Sequence, residues 1–386
     1  MNYPQVNWVD GMNINKHHLL SLEHELTDYV RDAHQQRVDP LSYGLLPTLS
    51  PTETSAGIWM NIEHQDQLVV QLNHCRAVTL GGARIEITPA VAEQLRLSAV
   101  SLQATVPLAD DEDQDWLVVL TVDPFRRVPV GEADPEETPP RKPYTLPHYA
   151  ISLVAESDQG VQEFGQYHLT IGRVAVRQGI ATLEEDYIPA CTAVSSHAEL
   201  RSLHRRQGQF LSQLERYCLT IIQKIHTKKI TNELALIIHH ICRSVIQFSA
   251  HEIAHLQHVV GHQPPVHMFA HSAALARLIR SEIDQWQGAG AEQLLTYLSE
   301  WCGINQATFE ERLSNMIEMR YQHHRIREVV TRTDQFINTT APLFQKLAEL
   351  DYIGKKTNTQ IFVKEEVIEK APPENKTGWR GRFLAD

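Results

Sequence analysis

The sequence Val6-Asn7-Trp8-Val9-Asp10-Gly11-Met12-Asn13-Ile14-Asn15-Lys16-His17-His18-Leu19-Leu20 joins a short aromatic arm to the first periodic segment of the chain. Gly11 suits a turn whose backbone needs a positive φ, and Asn15 suits the N-cap of a helix. From residue 15 to about residue 36, apolar residues recur every three or four positions, which predicts an amphipathic helix. An arm, a turn and a helix in this order favour docking on another surface. The apolar stripe of the helix is Leu19, Leu22, Leu26, Tyr29, Val30 and Ala33.

Short runs rich in β-branched residues follow between about residue 43 and Pro189. Polar residues separate the runs, and Gly81-Gly82 between two of them predicts a hairpin turn. Many short strands with frequent turns predict a sandwich-like or barrel-like β domain. The runs are 57–63, 67–73, 76–80, 83–88, 98–106, 116–122, 150–156, 164–170 and 173–176.

Three segments inside this region have the composition of loops. The acidic runs 110–115 and 132–137 are expected to be solvated. The segment from Pro129 to Pro147 contains six prolines, which fix φ and remove backbone donors. We therefore expect a loop there, either free or laid on a neighbouring chain as an ordered arm.

The periodicity changes to a helical one after Pro189. Ser196 and Glu199 have the spacing of a capping box. Beyond them, apolar residues alternate at spacings of three and four over about three heptads, interrupted by the polar Gln207, as in a coiled-coil seam within one chain or between chains. Later apolar patterns predict helices from 231 to about 261, over 266–286 and 294–303, and one long helix over 307–338. The seam is Leu200, Leu203, Gln207, Phe210, Leu214, Tyr217 and Ile221.

The order of these elements predicts an α+β fold class, a β-sandwich-like domain followed by an antiparallel helical bundle. The formal net charge of −12 disfavours nucleic-acid binding, since phosphate contacts need clustered lysine and arginine. No apolar run reaches the ~20 residues of a membrane span, so direct membrane insertion is not expected, and no signal peptide is recognised. Scattered cysteines predict reduced thiols in a cytoplasm-like compartment.

The segment His251-Glu252-Ile253-Ala254-His255 matches HExxH, the helical signature of zinc peptidases. Two imidazoles four residues apart share one helix face and can bind a zinc ion, while the glutamate polarises a bound water. Two observations disfavour this chemistry. The continuation has His258 where metzincins have glycine and Gly261 where they have the third histidine. On a helical wheel, Glu252 falls near the middle of the apolar arc.

Three interpretations of these histidines stay open. They form the polar flank of a bundle helix, a stripe that faces its copies across a symmetry axis, or a catalytic zinc site that uses His251, Glu252 and His255. The polar flank is favoured, so we expect no catalytic residues, no bound metal and no cofactor. The pairs His17-His18 and His323-His324 are expected to lie on the surface.

The N-terminal residues resemble the start of TssK, the baseplate subunit family of type VI secretion systems. That family has Trp-x-Glu-Gly-Met followed by Pro-Gln-His-Phe. Here Trp8, Gly11, Met12 and His18 match, and Asp10 stands for the glutamate. Three further positions depart from the pattern: Lys16, His17 and Leu19.

Later segments resemble the same family in the same order, through about residue 340. Tyr43-Gly44-Leu45 is similar to its Tyr-Gly-Leu step after the first helix. Tyr187-Ile188-Pro189-Ala190, followed by the helix at Glu199, is similar to its entry into the helical middle domain. The segment 262–283 is similar to a later part of that bundle.

The resemblance implies a non-enzymatic, homotrimeric adaptor at the cytoplasmic face of the inner membrane. In that family a β "shoulder" docks on the baseplate wedge, a helical stalk follows, and a C-terminal head contacts the membrane complex. It implies a docking arm and helix over 1–40, a shoulder over 41–190, a bundle over 191–345 and a short tail or reduced head over 346–386. The reduced head leaves the membrane-side contact open.

The wedge-docking residues implied by the resemblance lie in the arm and at the start of its helix. They are Trp8, Asp10, Gly11, Met12 and His18. Alternative functions are a zinc metallohydrolase that uses the HExxH helix, and a phage-type tail adaptor or receptor-binding protein, which would share the architecture of a baseplate adaptor.

Overall fold

The computed structural model describes residues 5–48, 54–63, 67–107, 113–156, 165–286, 289–303 and 305–354. Met1–Gly354 forms one compact unit. The tail expected from residue 346 lies outside the described residues from residue 355 onward, as do acidic residues 110–112. Antiparallel sheets occupy the N-terminal half and helices the C-terminal half, which confirms the α+β class.

Two antiparallel sheets form within the described residues. In the first, the long strand β3 pairs with four shorter strands, and helix α2 (Pro89–Leu97) connects two of them. In the second, the order is β7-β6-β8-β9. The first sheet contains β1 (Gly44–Leu45), β2 (Ala56–Glu63), β3 (Gln67–Val78), β4 (Arg84–Ile87) and β5 (Gln103–Pro107). The second contains β6 (Gln114–Val130), β7 (Tyr144–Ala155), β8 (His168–Arg177) and β9 (Ile180–Leu183).

The two sheets share one hydrophobic core, because each central strand buries a run of apolar residues. Leu68 and Val70 of β3 and Val118 and Leu120 of β6 belong to the same buried cluster. The sheets approach closely at Gly172, where an added Cβ would lie 2.7 Å from Cδ1 of Ile58. Apolar burial of this kind is the main favourable term in folding. The β region is therefore sandwich-like, as its short strands predict.

Strand pairing extends into segments whose composition predicts loops. Strand β6 continues through Pro129, and β7 includes Pro147, so the irregular loop is only 131–143. Both prolines lie where the ladder has one free side, because β8 pairs with β6 only over Gln114–Thr121 and β7 is an edge strand. A missing backbone donor is tolerated at such positions.

The acidic residue Asp115 is also part of β6 and not of a solvated loop. Its carboxylate accepts hydrogen bonds from Arg177 at 2.5 Å and Arg173 at 2.8 Å. These two guanidinium groups, Arg177 above all, lower the pKa of Asp115. The acid therefore joins β6 to β8 in a charged cluster at one end of the second sheet.

Six α-helices follow in the described part of the chain. Helix α3 packs on its successor and on the last helix, so the predicted seam is buried within the chain rather than between chains. The polar seam residue Gln207 donates a 2.7 Å hydrogen bond to Ser272 of the third helix of this set. The helices are α3 (Ala198–Thr227), α4 (Glu233–His258), α5 (Pro265–Asp284), α6 (Ala289–Cys302), α7 (Gln306–Ile317) and α8 (Ile326–Glu349).

Two helix boundaries differ from their predicted positions. The N-cap of α3 is His197, whose Nδ1 accepts from the Glu199 backbone at 3.3 Å, whereas Ser196 belongs to a preceding 3₁₀ turn. The long helix predicted over 307–338 is wrong, because residues 318–325 are irregular and separate α7 from α8. This interruption carries a buried histidine toward the β region.

The short strand β1 connects the β region to the bundle. Its Leu45 donates a 2.8 Å backbone bond to Ala190 and accepts a 2.9 Å bond from Thr192, just before the helices begin. Gly44 has a φ of +116°, and a Cβ there would overlap the carbonyl group of Ala190. Only glycine allows this backbone approach.

His323 closes the same junction from the bundle side. It is 4% exposed, so the expected surface pair His323-His324 is wrong for this residue. Its Nε2 donates to the Tyr43 carbonyl at 2.7 Å, and its Nδ1 accepts from the Tyr321 hydroxyl at 2.7 Å. Burial lowers the pKa of His323 to about 4. The neutral ring satisfies both partners, whereas a proton on Nδ1 would make the Tyr321 hydroxyl accept instead of donate.

We expect Gly44→Ala to destabilise the whole unit. The positive φ costs ~1–2 kcal/mol and the overlap with a neighbouring backbone ~1–3 kcal/mol more, so the free energy of unfolding should fall by about 3 kcal/mol. Urea unfolding measures this loss. Gly179→Ala is the matched control, since Gly179 has a φ of +74° but nothing within 4 Å of an added Cβ. Equal losses in the two variants would show that the approach to Ala190 does not matter.

We expect His323 to make the protein less stable as the pH falls. In the unfolded chain His323 has its ordinary pKa of ~6.5, whereas in the folded chain its pKa is about 4. Between these two values the unfolded chain binds a proton that the folded chain does not bind. The contribution of His323 to the free energy of unfolding is fully present above its pKa in the unfolded chain. Between pH 7 and pH 5 this residue alone lowers the free energy of unfolding by about 2 kcal/mol.

Urea unfolding of His323→Gln at pH 7 and pH 5 tests this linkage. Glutamine can still donate and accept but does not titrate, so the loss on acidification should shrink by about 2 kcal/mol. Part of the loss should persist, because burial also lowers the pKa of His197 to about 4. His258→Gln, at an exposed position of α4, should keep the full dependence. An unchanged slope in His323→Gln would contradict the assignment.

Candidate functional site

The N-terminal arm lies along the first helix, α1 (Lys16–Gln35), and a tight turn between them reverses the direction of the chain. The Met12 backbone donates to the Val9 carbonyl at 3.2 Å. Gly11 occupies the third position of this turn with a φ of +80°, the position that type II turns give to glycine. Before the turn, Gln5 donates to the Tyr29 hydroxyl at 2.8 Å. The positive φ expected at Gly11 is confirmed.

Asn15 and His18 form a reciprocal cap at the start of α1. Asn15 Oδ1 accepts from the backbone of His17 at 2.9 Å and of His18 at 3.4 Å. The Asn15 backbone donates to His18 Nδ1 at 3.3 Å. Such a capping box satisfies donors that would otherwise lack partners at the helix start. The His18 ring also lies 6.4 Å from the Trp8 ring in an edge-to-face arrangement, so one side chain contacts both helix and arm.

Helix α1 exposes its apolar stripe instead of burying it. Leu19, Leu26, Tyr29 and Val30 are each between 53% and 56% exposed. The arm that precedes the helix adds further exposed apolar side chains: Trp8, Val9 and Ile14. Exposed apolar side chains grouped on one helix and its arm are characteristic of an interaction site.

Polar residues of α1 contact the β region. Glu23 forms an ion pair with Arg127 of β6, and the His24 ring lies 6.3 Å from the ring of Phe125. His34 Nδ1 donates to the Gly82 carbonyl at 3.2 Å. Asp28 is buried and pairs with Arg31 at 3.0 Å. Polar contacts thus fix the helix in an orientation that leaves the apolar stripe outward.

The five docking residues expected from the resemblance lie together around the turn and the helix start. Trp8 is 49% exposed, Asp10 and Gly11 are exposed, and Met12 and His18 are half-buried. The structure therefore brings them to one tip of the molecule. Their role in docking stays a prediction.

The HExxH segment lies in the last turns of α4, but its two histidines do not share a site. The His251 side chain is 84% exposed and donates from Nδ1 to Glu252 Oε1 at 2.9 Å. The other oxygen of Glu252 accepts from Nδ1 of His271, on α5, at 2.9 Å. The second ring nitrogen of His271 lies 3.2 Å from His255 Nδ1.

The cluster of potential metal-binding side chains that the fold gathers is Glu252, His255 and His271. One potential ligand atom from each lies within 4.8 Å of the others, and among the described residues no such group includes His251. His271 is missing from the sequence interpretation because it lies on a different helix, sixteen positions beyond His255. The feature of the sequence that could have indicated its proximity is the short connection between α4 and α5. Burial lowers the pKa of His271, although Glu252 opposes this shift.

In the part of the chain that the structure describes, no helix is both long and apolar enough to cross a bilayer.

Cys75, Cys191, Cys218 and Cys242 are buried and form no disulfide. Burial raises the pKa of Cys75 to about 12, so this thiol is not a nucleophile at neutral pH.

Comparison with solved structures identifies the fold. The chain matches a crystal structure of TssK with a TM-score of 0.50 at 14% identity, over 88% of this chain and 69% of the other. It also matches the baseplate complex of the type VI secretion system, with a TM-score of 0.46, 12% identity and coverage of 91% and 100%. A third match is TssK from the EAEC type VI secretion system bound to a nanobody, with a TM-score of 0.44, 12% identity and coverage of 85% and 97%.

The sequence matches no protein-family model and no curated protein. The first structural match shows that this chain has the TssK fold. The expected resemblance is thereby confirmed at the level of the fold.

We expect Asn15→Ala to loosen the start of α1 without affecting the rest of the unit. Loss of an N-cap side chain costs ~1 kcal/mol, which should speed exchange of the first-turn amides about fivefold. Hydrogen exchange read by mass spectrometry on peptides that cover residues 15–22 measures this effect. Asn13→Ala, in the arm before the helix, is the control and should leave exchange unchanged. Equal exchange in both variants would contradict the capping assignment.

Proposed function

We propose that this protein is a structural, non-enzymatic subunit of a type VI secretion baseplate, which docks on the baseplate wedge through its N-terminal arm and α1. The observation that carries the proposal is the outward apolar stripe of α1, on a chain with the TssK fold. A monomer with no partner would be expected to turn this stripe toward its own core.

The arm supplies the features of a protein-binding surface. Trp8 is a half-exposed aromatic residue, and tryptophan is enriched among residues that dominate binding energy. The turn at Gly11 and the ring contact with His18 hold it in place before binding, which reduces the entropy lost on association. Met12 beside them is unbranched and adapts to the shape of a partner.

The homotrimer and the membrane-side contact are parts of the same proposal. The stripe of α1 and the arm are both exposed, so one can face a neighbouring copy and the other the wedge. In this proposal the chain is divided into arm and helix (1–40), shoulder (41–190), bundle (191–345) and tail (346–386). We place the assembled protein at the cytoplasmic face of the inner membrane.

A hydrolase function is disfavoured by the state of the HExxH glutamate. Both carboxylate oxygens of Glu252 accept hydrogen bonds, one from His251 and one from His271. The residue that would polarise a water in a zinc peptidase is therefore used to hold two imidazoles. His251, which would be a zinc ligand, projects into solvent.

We expect the double variant Trp8→Ala/Met12→Ala to lose binding to the wedge subunits of the same secretion system by at least a hundredfold. Removal of a central aromatic anchor alone costs ~2–4 kcal/mol, and the methionine adds to it. Co-purification followed by biolayer interferometry measures the loss, and circular dichroism should show an unchanged fold.

The matched control is Trp301→Ala, which removes a tryptophan that is 54% exposed at the end of α6, far along the chain from the arm. This variant should bind the wedge as the unmodified chain does. Intact binding by the arm variant would remove the docking proposal, as would equal losses in both variants.

A further inference from the structure

The cluster on adjacent faces of α4 and α5 has a chemistry that the proposed function does not use. His255 on α4 and His271 on α5 point ring nitrogens at each other at 3.2 Å. Glu252, one turn before His255, binds the opposite nitrogen of His271 at 2.9 Å. The helices are already held together by their apolar sides, so the polar cluster is not needed to join them.

We propose that this cluster is a binding site for a divalent transition-metal ion of the Zn²⁺ class. His255 Nδ1 and His271 Nε2 are the two protein ligands, and Glu252 holds the His271 ring from behind. Water completes the coordination shell on the open side, where His255 is exposed. The inference is independent of the docking role of the arm.

The nitrogen pair has the spacing that a metal ion requires. Two nitrogens bound to a tetrahedral zinc at ~2.0–2.1 Å lie about 3.3–3.4 Å apart. The pair here is 3.2 Å apart, so a metal can replace the shared proton with small rotations of the side chains. No movement of either helix is necessary, because the two rings already face each other.

The position of Glu252 fits His271 as a metal ligand. Metal-binding histidines almost always donate their other ring nitrogen to a carboxylate or carbonyl group, which fixes the tautomer and raises the basicity of the ligand. Glu252 accepts from His271 Nδ1 in this way. The free lone pair of His271 is thereby aimed at His255, as a ligand atom needs to be.

The donor set selects the kind of ion. Two imidazoles suit zinc, copper, nickel and cobalt, whereas magnesium and calcium prefer oxygen ligands.

The proposed site is different from the HExxH site, although both contain His255. In the HExxH arrangement His251 and His255 would bind the ion, while here His271 replaces His251.

Calorimetric titration of the full-length, tag-free chain with ZnCl₂, after removal of metals by a chelator, tests the proposal. We expect one zinc site per chain and a rise in the thermal midpoint, because a ligand that binds the folded state stabilises it. His255→Ala and His271→Ala should each weaken zinc binding at least tenfold. Glu252→Gln should weaken it ~10-fold through loss of the orienting charge.

His251→Ala and His258→Ala are the matched controls, since both remove exposed histidines from the same turns of α4. Zinc affinity should stay within threefold in these two variants. Loss of binding in His251→Ala with retention in His271→Ala would overturn the proposal in favour of the HExxH ligand set. Equal, shallow losses in all variants, or weak binding at many sites, would show an adventitious ion only.

His255→Ala keeps the test valid if His271→Ala fails to fold, because His255 is exposed and its removal leaves the α4–α5 packing intact. A direct readout is available with Co²⁺, whose visible absorption reports nitrogen ligation. The expected spectrum should appear with the unmodified chain and disappear in His255→Ala. A Co²⁺ spectrum that is unchanged in that variant would also reject the site.

Discussion

The close approach of Gly44 to Ala190 is the constraint on which the connection between the two halves of the molecule depends. β1 is only two residues long, yet it pairs with β3 on one side and with residues 190–192 on the other. A side chain at Gly44 would separate these backbones. The same crossing gives His323 a carbonyl to bind, since Tyr43 precedes Gly44. Because the β region and the bundle meet through backbone bonds and one buried histidine, their relative position is fixed without an extended linker.

The fixed junction also matters for α1, which turns its apolar stripe toward solvent. An amphipathic helix normally buries its apolar side, but here polar contacts of Glu23, His24 and His34 attach the helix to the β region. Directional polar contacts hold one helix rotation more specifically than apolar contacts do. The apolar stripe and the arm at Trp8 are therefore presented outward on a fixed platform, which lowers the entropy that a partner must remove on binding.

Local features of the sequence predict local features of the structure well. The turn at Gly11, the cap at Asn15 and the start of α4 near residue 231 follow from local residues alone. Features that depend on distant residues are missed. The break between α7 and α8 lets His323 reach Tyr43, a contact across 280 positions. Strand pairing at Pro129 and Pro147 depends on which side of each strand stays unpaired, and periodicity does not report that.

The HExxH segment shows the same limit in chemical terms. A sequence motif specifies which residues share a helix face, and residues four apart on α4 do lie near one another. It does not specify what the neighbouring helix contributes. Here α5 brings His271 against Glu252 and His255, and the glutamate then binds imidazoles instead of facing a water molecule. The ligand geometry of this region is set by the packing of two helices, so the identity of the residue at position 271 decides its chemistry more than the motif does.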